Sequence, residues 1–149
     1  TWPPVTISVI FEGNQYTVGV NGYSYSSPPA WDLRFDTERR LFNFTIGETY
    51  RPRGEVAKFV VLIPKRLLDG LPVVFVDNVM VPSTFLQNAS HYFVQFSYVL
   101  HNVTATHRVA VGGSNTIPES ASPLVSLVIA AAVLHLFSRR KREAEKTDM

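Results

Sequence analysis

The sequence predicts an all-β ectodomain, an immunoglobulin-like β-sandwich, followed by one C-terminal transmembrane helix. Three observations carry that reading. Most of the chain alternates apolar and polar residues with a period of two, and turn-forming residues punctuate it every few positions. Near the C-terminus a run without Asp, Glu, Lys or Arg, from Ala121 to Phe137, breaks that pattern. Four consecutive basic residues, Arg139, Arg140, Lys141 and Arg142, follow it. These divide the chain into a β-sandwich over 1–112, a stalk over 113–120, a transmembrane helix over 121–138 and a basic tail over 139–149.

The strands follow in order. Val5 to Phe11 is a first strand, which Glu12-Gly13-Asn14-Gln15 turns into Tyr16 to Val20. Asn21-Gly22 is the strongest short hairpin signal in the chain, because both residue types accept positive φ. Ser27-Pro28-Pro29 breaks the sheet, and Trp31 to Asp36 resumes it with Leu33 and Phe35 on one face. Leu41 to Ile46 places Phe42, Phe44 and Ile46 inward, leaving Asn43 and Thr45 outside. Lys58 to Ile63 is apolar on both faces, as a central strand would be. Pro64 to Asp69 predicts one helical turn before Gly70. Pro72 to Val76, Tyr92 to Leu100 and His107 to Val111 complete seven or eight strands, with Tyr92, Val94, Phe96 and Tyr98 sharing a face. A small barrel is the alternative closure.

Charge and composition narrow the function. The net charge is +2, but residues 1–120 carry equal numbers of acidic and basic side chains. The excess lies in the tail, so the main domain has no cationic surplus with which to hold nucleic-acid phosphates. Cysteine is absent, which excludes disulfides, thiolate metal sites and a cysteine nucleophile. A chain that begins at Thr1 rather than Met is expected to have lost a signal peptide.

The span from Ala121 to Phe137 is about 26 Å long at ~1.5 Å per residue, and flanking residues extend it towards the ~30 Å of a hydrocarbon core. Basic residues beside a span stay cytoplasmic, which puts the β-domain outside. Ser122, Ser126 and Ala130 recur every four residues and form a stripe on which a second helix can pack closely. The lipid bilayer and other membrane or envelope proteins are the partners expected.

Three sequons are present, at Asn43, Asn88 and Asn102, each followed by a non-proline residue and then Thr or Ser. All three precede the span and are expected to be glycosylation sites. His101 and His107 bracket a predicted loop and are the candidates for a metal pair. His91 lies roughly 30 Å from them along its strand at ~3.3 Å per residue. Asp32 and Asp36 are expected to share a strand face with Arg34 between them, a self-neutralised arrangement. Arg39-Arg40 and Arg51-Pro52-Arg53 read as loop charges. Tyr16, Tyr23, Tyr25, Trp31, Tyr92 and Tyr98 are either a sugar platform or cross-strand packing. No nucleophile elbow, phosphate loop, zinc-protease helix or dinucleotide fingerprint occurs, so neither catalysis nor a cofactor or small-molecule substrate is expected.

The order LIPKRLLDG, VVFVDN, a tyrosine-rich strand, HNVTATHRVAVGG, IPES and an apolar anchor with arginines resembles archaeal cell-surface proteins. Those end in a strand, a glycine, an Ile-Pro-Glu-Phe-type junction and a transmembrane anchor. The resemblance covers Lys58 to Arg142, and Ser120 stands where that junction has an aromatic residue. It implies a surface location and a β-domain. The expected function is therefore a membrane-anchored, glycosylated, non-enzymatic surface protein with a structural, adhesion or assembly role. The alternative is an accessory single-pass subunit of a larger membrane complex of respiratory or oxidase type.

Overall fold

A computed structural model describes residues 4–22, 29–48, 54–99, 105–116, 135 and 139–140. Ten strands are present among them: β1 (Val5–Phe11), β2 (Asn14–Gly22), β3 (Ala30–Asp36), β4 (Leu41–Glu48), β5 (Val56–Pro64), β6 (Pro72–Val76), β7 (Val79–Val81), β8 (Ser83–Gln87), β9 (His91–Val99) and β10 (Ala105–Gly113). A 3-10 turn, Lys65–Leu67, joins β5 to β6 where the sequence predicts one helical turn. The strands form two antiparallel five-stranded sheets, ordered β1-β2-β5-β9-β8 and β3-β4-β10-β6-β7.

The strand period explains the core. Val18 and Val20 of β2, Phe59, Val61 and Ile63 of β5, and Tyr92, Val94 and Phe96 of β9 point inward from the first sheet. Phe42, Phe44 and Ile46 of β4 and Val109 and Val111 of β10 answer them from the second. The Phe44 and Phe96 rings meet across the gap with centroids 6.4 Å apart, and Phe96 stacks on Phe59 at 5.2 Å. Both sheets therefore close over one shared apolar layer, the defining feature of a β-sandwich. The alternation of Leu41 to Ile46 and the shared face of Tyr92, Val94 and Phe96 are as the sequence reading has them. β5 differs in one respect, since Val56 and Lys58 are exposed on its outer face.

Two places depart from the sequence reading. Asn21 and Gly22 are the last residues of β2, paired with Val60 and Phe59 of β5, rather than a hairpin turn. The chain leaves for the other sheet at this point, so pairing with β5, distant in sequence, overrides the local turn preference. The misfit persists in the side chain: Asn21 Oδ1 is buried with no hydrogen-bond partner among the described residues. Second, the stretch after Asp77-Asn78, in which no strand is expected, holds β7 and β8. Asp77 and Asn78 have φ of 50° and 64°, so they form a two-residue hairpin loop linking β6 to β7. Glu12 and Gly13, at 50° and 76°, do the same between β1 and β2.

One end of the sandwich is closed by segments that leave the strands. Leu67 and Leu68 are buried in the core. Gly113 permits the close approach of β10 to the segment before β6: a Cβ there would collide with the Asp69 backbone. The chain leaving β10 is held there, with Ser114 N–H donating to Leu71 O at 2.8 Å and Asn115 N–H to Asp69 O at 3.0 Å.

The predicted span lies outside the described residues except for His135, which is helical and exposed, as are Arg139 and Arg140 beyond it. Among the described residues no helix is long and apolar enough to cross a membrane.

Candidate functional site

Among the described residues a chain of polar side chains lies at the opposite end of the sandwich. His107 sits on the inner face of β10, opposite Ile46 of β4, and its side chain is 12% exposed. The β6–β7 loop brings Asp77 to it, with His107 Nδ1 2.6 Å from Asp77 Oδ2. A carboxylate only accepts, so Nδ1 carries the proton, and in neutral imidazole Nε2 is left as the acceptor. The Tyr98 hydroxyl from β9 meets that nitrogen at 3.3 Å, and the two rings lie 4.8 Å apart, tilted by 46°. Asp77 is itself fixed, because Oδ1 accepts the Arg108 N–H at 3.0 Å and its own N–H donates to Arg108 O at 2.8 Å.

Asp77, His107 and Tyr98 thus form a chain of hydrogen bonds from a hairpin loop, through one sheet, to the other. The order carboxylate–imidazole–hydroxyl is that of an activated nucleophile. Two open grooves among the described residues, one beside Pro82 to Ser97 and one beside Ile7 to Thr37, are lined by none of the three. The geometry locks the imidazole and ties the two sheets together at the end where β10 begins.

The sequence candidates fare unequally. His107 enters this chain; His101 lies outside the described residues. His91 is held locally, its Nδ1 2.7 Å from Ser90 Oγ. Among the described residues no group of three or more His, Cys, Asp or Glu could hold a metal ion. The link of Asp77 to His107 crosses thirty positions and leaves no local sequence signal.

Asn88 is exposed in the β8–β9 turn. Its Oδ1 accepts N–H bonds from Ser90 at 2.9 Å and His91 at 2.8 Å, and Ser90 Oγ lies 3.3 Å from the same atom. Those contacts fix the carboxamide through its oxygen and do not engage Nδ2, the atom that a glycan would join. Asn43 faces outward as expected but is half-buried between Arg34 of β3 and Ala110 of β10, and its Nδ2 points to Leu41 O at 3.5 Å. Asn102, Ser122, Ser126, Ala130, Lys141 and Arg142 lie outside the described residues.

The charged residues have structural employment. The register of β3 shifts between Trp31 and Arg34, with Asp32 at φ 53°. That bulge brings Asp32 to Arg34 at 2.9 Å and to Arg108 at 3.7 Å. Asp36 instead accepts the Glu38 and Arg39 N–H groups, both at 3.0 Å, and shapes the β3–β4 loop. Arg40 donates from its guanidinium to the carbonyls of Arg66 (2.6 Å), Leu68 (2.9 Å) and Leu67 (3.4 Å), and covers the Phe11 ring at 5.3 Å. Its role as the clamp of the 3-10 turn is invisible in a reading of loop charges. Tyr16, Tyr92 and Tyr98 pack towards the core, whereas Trp31 is exposed and lies over Gly47, where a Cβ would come within 2.7 Å of its ring. Those four are therefore not gathered on one surface, and Tyr23 and Tyr25 lie outside the described residues.

Comparison of the chain with protein-family models, with curated proteins and with solved structures found no match.

Proposed function

We propose that this chain is a non-enzymatic surface protein: a glycosylated β-sandwich displayed outside the membrane by the segment 121–138, with the tail 139–149 on the cytoplasmic side. The observation that carries this reading is an order along the chain. The sandwich closes with β10, its exit is pinned by Asp69 and Leu71, and an apolar run and then Arg139 to Arg142 follow a few residues later. The domain would serve an envelope layer, adhesion or assembly, with an archaeal surface as its setting. Immunoglobulin-like describes its architecture in this proposal, two antiparallel sheets over one core. The ten-strand order is not the ABED/CFG order of the seven-strand immunoglobulin domain.

The test uses the full chain in membranes of an archaeal host. Alkaline extraction is expected to leave the chain in the membrane, and mass mapping to place a glycan on Asn88 in preference to half-buried Asn43. Release by alkali would overturn the anchor; an unmodified Asn88 would overturn the glycoprotein part. The accessory-subunit reading rests on the stripe Ser122, Ser126 and Ala130, and co-migration with a stoichiometric complex on a native gel would favour it.

A further inference from the structure

Among the described residues the two sheets have four edge strands, and three of them are guarded. β3 is bulged at Trp31/Arg34 and carries Asp32, Arg34 and Asp36. β7 has three residues, and Pro82 separates it from β8, which has five. Short strands, bulges, charges and prolines are the means by which natural sheets keep their edges from pairing. β1 has none of these. It is seven residues long, VTISVIF, without charge, proline or bulge, and among the described residues it pairs with β2 alone.

The hairpin fixes which backbone groups this edge offers. Phe11 and Asn14 flank a two-residue loop and form its closing hydrogen-bonded pair. Antiparallel pairs alternate, so Val9/Tyr16, Ile7/Val18 and Val5/Val20 are also bonded, whereas Ile10, Ser8 and Thr6 are not bonded to β2. Their N–H and C=O groups point away from the sheet. Their side chains lie on its outer face and are exposed, Ile10 at 73%.

We infer that β1 is an interaction edge whose partner is a second copy of this chain, joined by antiparallel β1–β1 pairing about a two-fold axis at Ser8. That register matches Ser8 with Ser8, Thr6 with Ile10, Ile7 with Val9 and Val5 with Phe11. It uses the whole strand, and all six outward N–H groups find a carbonyl. Apolar residues meet on the inner side, Ser8 and the Thr6–Ile10 pairs on the outer side; β1 brings no charge of its own, and the charge beside it is Arg34 of β3, which lines the groove along Ser8 and Ile10. The sheet becomes continuous through ten strands, and an isologous contact of this kind closes at two copies. Antiparallel pairing also inverts the second domain. The two β10 exits, each beside the end that holds Asp69 and the Glu12–Gly13 turn, leave from opposite ends of the dimer. The inference stands on the edge alone and does not require the membrane reading.

The absence of cysteine makes the test direct. Residues facing each other in a hydrogen-bonded antiparallel pair have Cα atoms about 5.5 Å apart, within disulfide reach. Full-length Ser8→Cys, purified in detergent and mildly oxidised, is expected to run mainly as a covalent dimer on a non-reducing gel. Thr17→Cys, on the same face of β2, is the control: across three strand spacings of ~4.8 Å its sulfurs would be too far apart, and it should run as an uncross-linked chain on that gel. Ser8→Pro removes only an outward N–H, since proline is tolerated on an edge where its N–H side faces solvent. It is expected to halve the light-scattering mass of the wild-type protein with an unchanged circular dichroism spectrum. A monomeric wild type, a dimer that survives Ser8→Pro, equal cross-linking through Thr17→Cys, or co-purification with a different protein on this edge would each overturn the inference.

Discussion

Removing the Asp77 carboxylate should loosen the end of the sandwich where β10 begins, and the structure sets the size of the effect. The carboxylate makes two bonds that Asp77→Ala abolishes, to His107 Nδ1 at 2.6 Å and to the Arg108 N–H at 3.0 Å. Both bonds end on the carboxylate, and a bond to a charged group contributes ~1.5 to 3 kcal/mol. Because the Asp77 side chain is 52% exposed, the low end applies to both. Alanine also tolerates φ of 50° less well than aspartate, which adds up to ~1 kcal/mol. The expected loss is about 3 to 4 kcal/mol. Asp77→Asn keeps the turn conformation and an acceptor, and should lose only about 1 kcal/mol. Urea unfolding of the full chain in detergent, followed by tryptophan fluorescence, measures these values. The sharper measurement is the cycle of Asp77→Ala, His107→Ala and the double variant, for which direct contact predicts a coupling of about 1 kcal/mol or more. Additivity to within ~0.3 kcal/mol would refute the hydrogen-bonded tie between the hairpin loop and β10.

The clamp at the other end makes a parallel prediction. Arg40→Lys replaces a fork that reaches three carbonyls with a single ammonium, and should cost about 2 kcal/mol and speed amide exchange at Leu68; wild-type stability in that variant would show the clamp to be idle. If the membrane proposal and the β1 pairing both hold, the inverted exits make vesicles carrying the full chain cluster, and Ser8→Pro should disperse them. Dimers without clustering would refute the inverted arrangement of the two exits.

Much of the fold is legible along the chain because strand period is a local property. Leu41 to Ile46 and Tyr92 to Tyr98 announce their inward faces, and Pro64 to Gly70 announces its turn, since each depends on residues within a few positions. The sequence by itself also shows the neutral β-domain, the missing cysteines, the sequons and the apolar run before Arg139. The tertiary structure decided what depends on distant partners. Asn21-Gly22 reads as a turn until Val60 and Phe59 hold it in a strand. Val79 to Gln87 is too short and too broken by Pro82 to signal strands, and gains them by pairing with β6 and β9. Asp77, His107 and Tyr98 come from three strands or loops and two sheets, and Arg40 finds its carbonyls more than twenty residues away. Side-chain alternation is written into neighbouring residues. Pairing across sheets, and the hydrogen bonds that follow from it, exist only once loop closure has brought remote segments together.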